Sequence, residues 1–202
     1  MNGRACGKLI LCGEHAVVHG HPAIAVPLAL ATTVDIEPWE GPLHIEHDLL
    51  SPRHEDRLFD ALEPLFPDGN VKITIESELP VGVGLGSSAA LGVAVARAMG
   101  LEEPDLREMA MRIEQSFHGD PSGLDVAVAL RGEAIWFVKG KPLKTIATPR
   151  APIVVIDSGT AGDTKQLVSD VAERMEAHEA VRDVIADIGA LVHASRAVLE
   201  DP

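Results

Sequence analysis

Pro80-Val81-Gly82-Val83-Gly84-Leu85-Gly86-Ser87-Ser88-Ala89-Ala90 is the stretch on which the reading of this chain turns. Glycine at alternate positions leaves backbone N–H groups bare and permits positive φ, so the main chain can wrap closely around an anion. The residues that follow, Ala89 to Met99, are rich in Ala, Val and Leu and predict a helix. Ser87 and Ser88 then stand at its N-terminus, where unpaired N–H groups and the helix dipole favour phosphate. No Lys follows the last Gly, which excludes a Walker A loop. Gly-x-Ser-x-Gly is also absent, which excludes a nucleophile elbow. A strand-to-helix turn that merely needs glycine is the plainer reading, and the surrounding residues decide between the two.

Upstream, Val71 to Glu78 alternates Val, Ile and Ile with Lys, Thr and Glu, the pattern of a half-buried strand feeding the glycine loop. Ala5 to Cys12 reads as a strand and Ala23 to Ile36 as one or two more, with Pro27 marking an edge or bend. Leu43 to His47 reads as a short strand and Glu55 to Leu65 as a helix. Downstream, Leu106, Met109, Ile113 and Phe117 form a helical stripe with Asp105 suited to its N-cap. Pro121 is expected to open a further helix running to about Leu130. Glu133 to Val138 and Ile153 to Asp157 read as strands. Asp163 to Leu199 is helical in pattern, with a break near His178. This alternation fits an α+β or α/β domain.

A chain of 202 residues can bury a real core, and 46% hydrophobic with 24% charged residues is the composition of a globular protein. A formal net charge of −14 argues against nucleic acid or an anionic membrane as partner, because both reward basic faces. No apolar run approaches the length of a membrane span. Leu9-Ile10-Leu11-Cys12 is too short for a signal core and too bulky at Leu11 for a lipoprotein cleavage site. Cys6 and Cys12, six positions apart on one strand, are expected on one face, unable to pair, and reduced in a cytoplasmic protein.

Three more segments carry chemistry. Gly7-Lys8 and Gly13-Glu14-His15-Ala16-Val17-Val18-His19-Gly20 place a lysine and a Glu-His pair around an apolar strand. His118-Gly119-Asp120-Pro121-Ser122-Gly123-Leu124-Asp125 places a carboxylate in the first turn of a helix. Asp157 to Lys165 is a polar loop between a predicted strand and a helix. Each has a plainer reading alone: Lys8 as a solvated strand lysine, Glu114 as an exposed helix carboxylate paired with His118, Asp125 as a partner of the helix dipole, Thr164 as a helix cap. His15, His19 and His21 lack the further ligands that a metal site needs.

Taken together, these motifs resemble the GHMP kinases, and within them the mevalonate kinase branch. Pro80 to Ala90 is similar to the superfamily's nucleotide loop, and Gly13 to Gly20 to the Gly-Glu-His run of that branch. The resemblance implies an α+β, two-layer nucleotide-binding domain of the ribosomal protein S5 domain 2-like type. That domain is expected over residues 1–150, with residues 151–202 as the beginning of a C-terminal region. It implies ATP and Mg²⁺, with Pro80, Gly82, Gly84, Leu85, Gly86, Ser87, Ser88 and Ala89 at the nucleotide. Asp125 corresponds to the family's base or orienter at the substrate hydroxyl, and Lys8 to its neighbouring lysine. Glu114, eleven residues before Asp125, and Ser88 correspond to the metal ligands. Glu14, His15, Ser122 and Thr164 correspond to positions lining the substrate side.

The activity so implied is phosphorylation of the 5-hydroxyl of mevalonate in isoprenoid biosynthesis. The alternatives are another small-molecule kinase of the superfamily, acting on phosphomevalonate, homoserine or a sugar, or an inactive nucleotide-binding remnant. The family's third glycine-rich motif is not matched in these residues. The corresponding expectation is a weak or inactive kinase, with apolar surface exposed around Val181 to Leu199 and a tendency to form homodimers or to self-associate.

Overall fold

The computed structural model describes residues 1–47, 52–119, 121–147, 152–156 and 164–200. Its centre is a long antiparallel pair, β1 (Asn2–Cys12) against β2 (Ala23–Pro38). The opposite edge of β2 is shared. Thr32 to Pro38 pairs with β4 (Val71–Ser77), and Ala23 to Ala25 pairs with β5 (Ile135–Phe137). β3 (His44–His47) runs parallel to β4 at one end, and β6 (Lys144–Thr145) pairs with β5 at the other. Pro27, which cannot donate to a ladder, falls in the gap between the β4 and β5 partners, where the β1 register also slips. Pro27 thus marks an irregularity in the ladder, within one continuous strand.

The helices follow the apolar periodicity. α1 (Pro52–Leu62) leads into a 3₁₀ turn (Glu63–Leu65), and α2 (Ser87–Ala98) follows the glycine loop. α3 (Asp105–His118), α4 (Leu124–Arg131), α5 (Thr164–Ala177) and α6 (Glu179–Glu200) complete the set. The break falls at His178, as the pattern predicts. No described helix is long and apolar enough to cross a membrane.

α2 lies on the sheet, sandwiched between it and α3, and nine of its twelve residues are buried. Small residues make this approach possible. A Cβ on Gly3 of β1 would lie 2.1 Å from the Ala94 carbonyl oxygen, and one on Gly92 would lie 2.9 Å from that of Ala110. Alternation along β2 sends Ala23 and Ala25 toward Leu124, Ala127 and Val128 of α4. Ile24 and Val26 point the other way, into a cluster with Val192 of α6. The outer side of α6 leaves Val184, Leu191 and Val198 exposed, within the span from Val181 to Leu199, whereas Ile185 and Val192 of its apolar stripe are buried.

Four readings need correction. α4 begins at Leu124 rather than Pro121, because Gly123 at φ 85° holds a left-handed N-cap and Ser122 makes the turn before it. Asp105 is the first residue of α3 rather than its cap, which is Pro104. Among the described residues Ile153 to Ile156 pairs with no strand, and its four side chains are exposed; Asp157 lies outside the described residues. Cys6 and Cys12 are free, but register slips after Cys6 and Ile10 put them on opposite faces. Cys6 lies against Val128 of α4, and Cys12 packs in the cluster with α6.

The packing at Gly3 predicts that Gly3→Ala destabilises the fold by about 1–3 kcal/mol, the usual range for overpacking. Gly132, with open space around its Cβ position but φ 63°, separates the two effects, since Gly132→Ala carries the cost of a left-handed backbone without a clash. Denaturant titration of Gly3→Ala and Gly132→Ala measures both, and a Gly3→Ala midpoint equal to wild type would refute the close-packing argument.

Candidate active site

The site is assembled where β1, the glycine loop, α3 and α4 meet. Gly82, Gly84 and Gly86 have φ of 79°, 79° and 76°, a conformation that L-residues with side chains rarely adopt. The loop is anchored on β1, where the Lys8 N–H donates to the Leu85 carbonyl at 2.9 Å. Gly86 is confined from the same side, since a Cβ there would lie 2.9 Å from Lys8 Cγ. Gly86 is also the N-cap of α2, and no side chain caps this end. The first-turn N–H groups are therefore left to serve an anion.

Lys8 is 7% exposed, which rules out the solvated-lysine reading. Its Nζ lies 3.2 Å from Asp125 Oδ2 in the first turn of α4. Burial pushes the Asp125 carboxyl above the usual carboxylate range; the Lys8 cation opposes this, and the nearby Glu114 reinforces it. A carboxylate held by a lysine yet raised in basicity is suited to accept a proton from an alcohol.

Glu114 is 3% exposed, so it is not the surface carboxylate of the plainer reading. Its Oε1 lies 3.2 Å from His118 Nδ1, one helical turn on, and its Oε2 is buried without a hydrogen-bond partner. Ser88 Oγ, at the start of α2, lies 3.4 Å from the same imidazole nitrogen. Among the described residues no three His, Cys, Asp or Glu side chains cluster to enclose a metal ion, and His15, His19 and His21 form no such site. An unsatisfied buried carboxylate oxygen on a residue that shares its imidazole neighbour with a serine hydroxyl nevertheless fits Mg²⁺, which takes one or two protein oxygens and completes its shell with phosphate and water.

Lys8, Asp125, Gly86, Ser88 and Glu114 thus fall into one neighbourhood, together with His118. Sequence reading gave His118 no role in the site, although it stands four residues after Glu114 and opens the run that ends at Asp125. Glu14 and His15 lie in the turn after β1, exposed and half-buried. His15 has an unusual φ of 59°. Neither side chain hydrogen-bonds to Lys8, Asp125, Ser88 or Glu114 among the described residues. Ser122 Oγ accepts from the Leu124 N–H at 3.2 Å, a turn-forming bond ahead of Asp125. Thr164 is the first residue of α5, and the loop before it lies outside the described residues. A cavity of about 580 Å³ lies between β3 and α1, lined by Ile45, Glu46, His47, Asp56, Leu58 and Phe59.

Comparison with known proteins gives a consistent picture. Residues 55–133 match the family model described as the GHMP kinases N terminal domain. A mevalonate kinase of Pyrococcus horikoshii is 32% identical, over 96% of this chain and 68% of that protein. A crystal structure of L. major mevalonate kinase in complex with R-mevalonate superposes with a TM-score of 0.83 at 23% identity, over 98% of this chain and 69% of that one. The mevalonate kinase of methicillin-resistant Staphylococcus aureus superposes with a TM-score of 0.58 at 31% identity, over 93% and 73%.

Two predictions follow from this geometry. Gly86→Val forces an L-residue to positive φ, at about 1–2 kcal/mol, and drives its side chain into Lys8. It should lower stability and weaken nucleotide binding together, and wild-type values for both in denaturant and nucleotide titrations would refute the loop assignment. For His118, the hydrogen bond it donates to the Glu114 carboxylate raises the imidazole above its ordinary value near 6.5, burial opposing. A folded pKa above the unfolded one means that the pair's contribution to stability is complete below the unfolded value. It is lost as pH rises through the folded one. NMR titration of the nine histidines should find His118 displaced upward, and Glu114→Gln should return it toward the ordinary value. An unshifted His118 would contradict the contact.

Proposed function

The chain belongs to the GHMP kinases, as its similarity to mevalonate kinases over 96% of its length establishes, and from that premise we propose that it transfers the γ-phosphoryl group of ATP to the 5-hydroxyl of mevalonate. The observation that carries this reading is the ion pair of the buried Lys8 with the half-buried Asp125, tied to the glycine loop by the backbone bond from Lys8 to Leu85. Phosphoryl transfer needs little covalent help from a protein; positioning and charge neutralisation supply most of the rate.

In the proposed step the substrate hydroxyl oxygen bonds to the γ-phosphorus and the bond from that phosphorus to the ADP oxygen breaks. The hydroxyl proton passes to Asp125. Lys8 favours the ionised form of Asp125 against the effect of burial and offsets negative charge as it accumulates between nucleophile and phosphate. The N-terminus of α2, from Gly86 to Ala89, receives phosphate oxygens, with Pro80, Gly82, Gly84 and Leu85 shaping the loop around them. Glu114 and Ser88 are assigned to Mg²⁺, which supplies charge neutralisation on the phosphates when bound. Glu14, His15, Ser122 and Thr164 are assigned to the substrate side by family correspondence. A cytoplasmic location suits the two unpaired cysteines.

Asp125→Asn tests the reading most directly. The amide is nearly isosteric and cannot accept the proton, so turnover should fall about 10²–10⁴-fold while ATP binding persists. The assay follows ADP release with mevalonate, phosphomevalonate, homoserine and galactose offered in parallel. Turnover of the variant within a few-fold of wild type would make Asp125 structural. Preference for another acceptor would move the protein to a different branch, and ATP binding with no turnover of any acceptor would favour an inactive nucleotide-binding role.

A further inference from the structure

We infer that His118 is a positioning residue for the cation that accompanies the nucleotide, holding Ser88 and Glu114 in register with one imidazole nitrogen. The inference rests on the kinase reading above and concerns how its metal ligands are fixed.

The argument begins with an asymmetry in Glu114. One carboxylate oxygen, Oε1, lies 3.2 Å from His118 Nδ1, while the other, Oε2, is buried with no hydrogen-bond partner. A carboxylate in a 3% exposed residue would normally satisfy both oxygens from the protein. Here the imidazole satisfies one, and by doing so sets the carboxylate plane and leaves Oε2 for a ligand from outside the chain. The same nitrogen lies 3.4 Å from Ser88 Oγ, on a different helix, α2. A single N–H cannot serve two acceptors equally. The shorter, charge-assisted contact to Glu114 takes the larger share of the N–H, Ser88 Oγ accepts the smaller share, and Ser88 cannot donate its own hydrogen to a protonated Nδ1. The Ser88 oxygen, on the same imidazole nitrogen as the carboxylate, is the second, neutral oxygen ligand in the proposed set.

Geometry fixes His118 in turn. It occupies the last turn of α3, and Gly119 at φ 77° terminates the helix directly after it. The imidazole thus sits between the start of α2 and the last turns of α3 and bridges two elements that must not drift apart if both are to reach one cation. Partners that orient metal ligands are often worth about 10–100-fold in metal affinity.

The test uses the full chain with Mn²⁺ as a spectroscopic substitute for Mg²⁺. Electron paramagnetic resonance measures Mn²⁺ affinity in the presence of ADP, and a separate titration measures ADP affinity in EDTA. His118→Asn keeps an N–H donor where Nδ1 stands; His118→Gln moves it to the position of Nε2; His118→Phe removes it. Mn²⁺ affinity should fall about 10–100-fold in His118→Phe and His118→Gln, with metal-free ADP affinity unchanged, and recover to within about threefold in His118→Asn. Wild-type Mn²⁺ affinity in His118→Gln, or equal losses in His118→Asn and His118→Gln, would overturn the inference, even if His118→Phe fails to fold. A wild-type protein that binds neither ADP nor its Mn²⁺ complex would overturn the nucleotide reading itself. Normal wild-type binding with indifferent variants would leave that reading standing and remove only the role of His118.

Discussion

Three constraints meet in one residue, Lys8. Its backbone N–H holds the glycine loop through Leu85, its methylenes lie where a side chain on Gly86 would have to go, and its ammonium reaches Asp125 on α4. Strand, loop and helix are therefore not independently placed. The electrostatics explain why such a residue is uncommon. Two unit charges 4 Å apart gain about 4 kcal/mol at an effective dielectric constant of 20, while burial costs several kcal/mol per ion. The pair comes close to breaking even, with Asp125 28% exposed at the side chain and Lys8 9%. Stability gives little reason to keep it; a site that needs an ionised carboxylate next to a cation does.

Packing of small residues makes this convergence possible. With 3% aromatic residues the chain cannot separate its layers on large rings. It brings backbones together instead. Gly3 admits Ala94 of α2, Gly7 admits Leu79 and the Leu85 carbonyl, and Gly92 admits Ala110 of α3. Gly7 matters most for the site, because a Cβ there would lie 2.8 Å from Leu85 O and lift the loop off β1. Dense contact between helix and strand fixes the first turn of α2 relative to Lys8 to within the tolerance of a close-packed interior.

How much of this was legible in the sequence depended on range. Local periodicity placed β4, α2, the α3 stripe and the break at His178, because the apolar spacing repeats within each element. Features set by a neighbouring strand were not legible. The slips in β1 that send Cys6 and Cys12 to opposite faces depend on Pro27 and the ends of β2. The unpaired run Ile153 to Ile156 has the composition of a strand but no partner edge among the described residues. In the site, Lys8, Ser88, Glu114 and Asp125 were recognisable because they sit in motifs, while their burial was not. Lys8 and Glu114 look like surface charges until the fold closes around them. His118 was visible as an i+4 neighbour of Glu114, but its second contact, to Ser88, spans thirty residues and exists only in three dimensions.

A chain with a formal charge of −14 is an unlikely host for a polyphosphate, and the long-range field opposes it. What matters at the site is local. Surface charges farther than a Debye length, about 8 Å at physiological salt, are largely screened. The uncapped first turn of α2, the buried ammonium of Lys8 and the orientation of Glu114 act within that range. The acidic balance then shapes the site's selectivity. With Asp125 and Glu114 both close by, a bare phosphate meets two carboxylates for one buried lysine. On the proposed assignment, a phosphate that arrives with a divalent cation removes that conflict, because the cation would engage the carboxylate oxygen that the protein leaves unsatisfied. On that assignment the same carboxylates that repel the free anion would favour its metal complex, which is the discrimination a phosphoryl-transfer site requires.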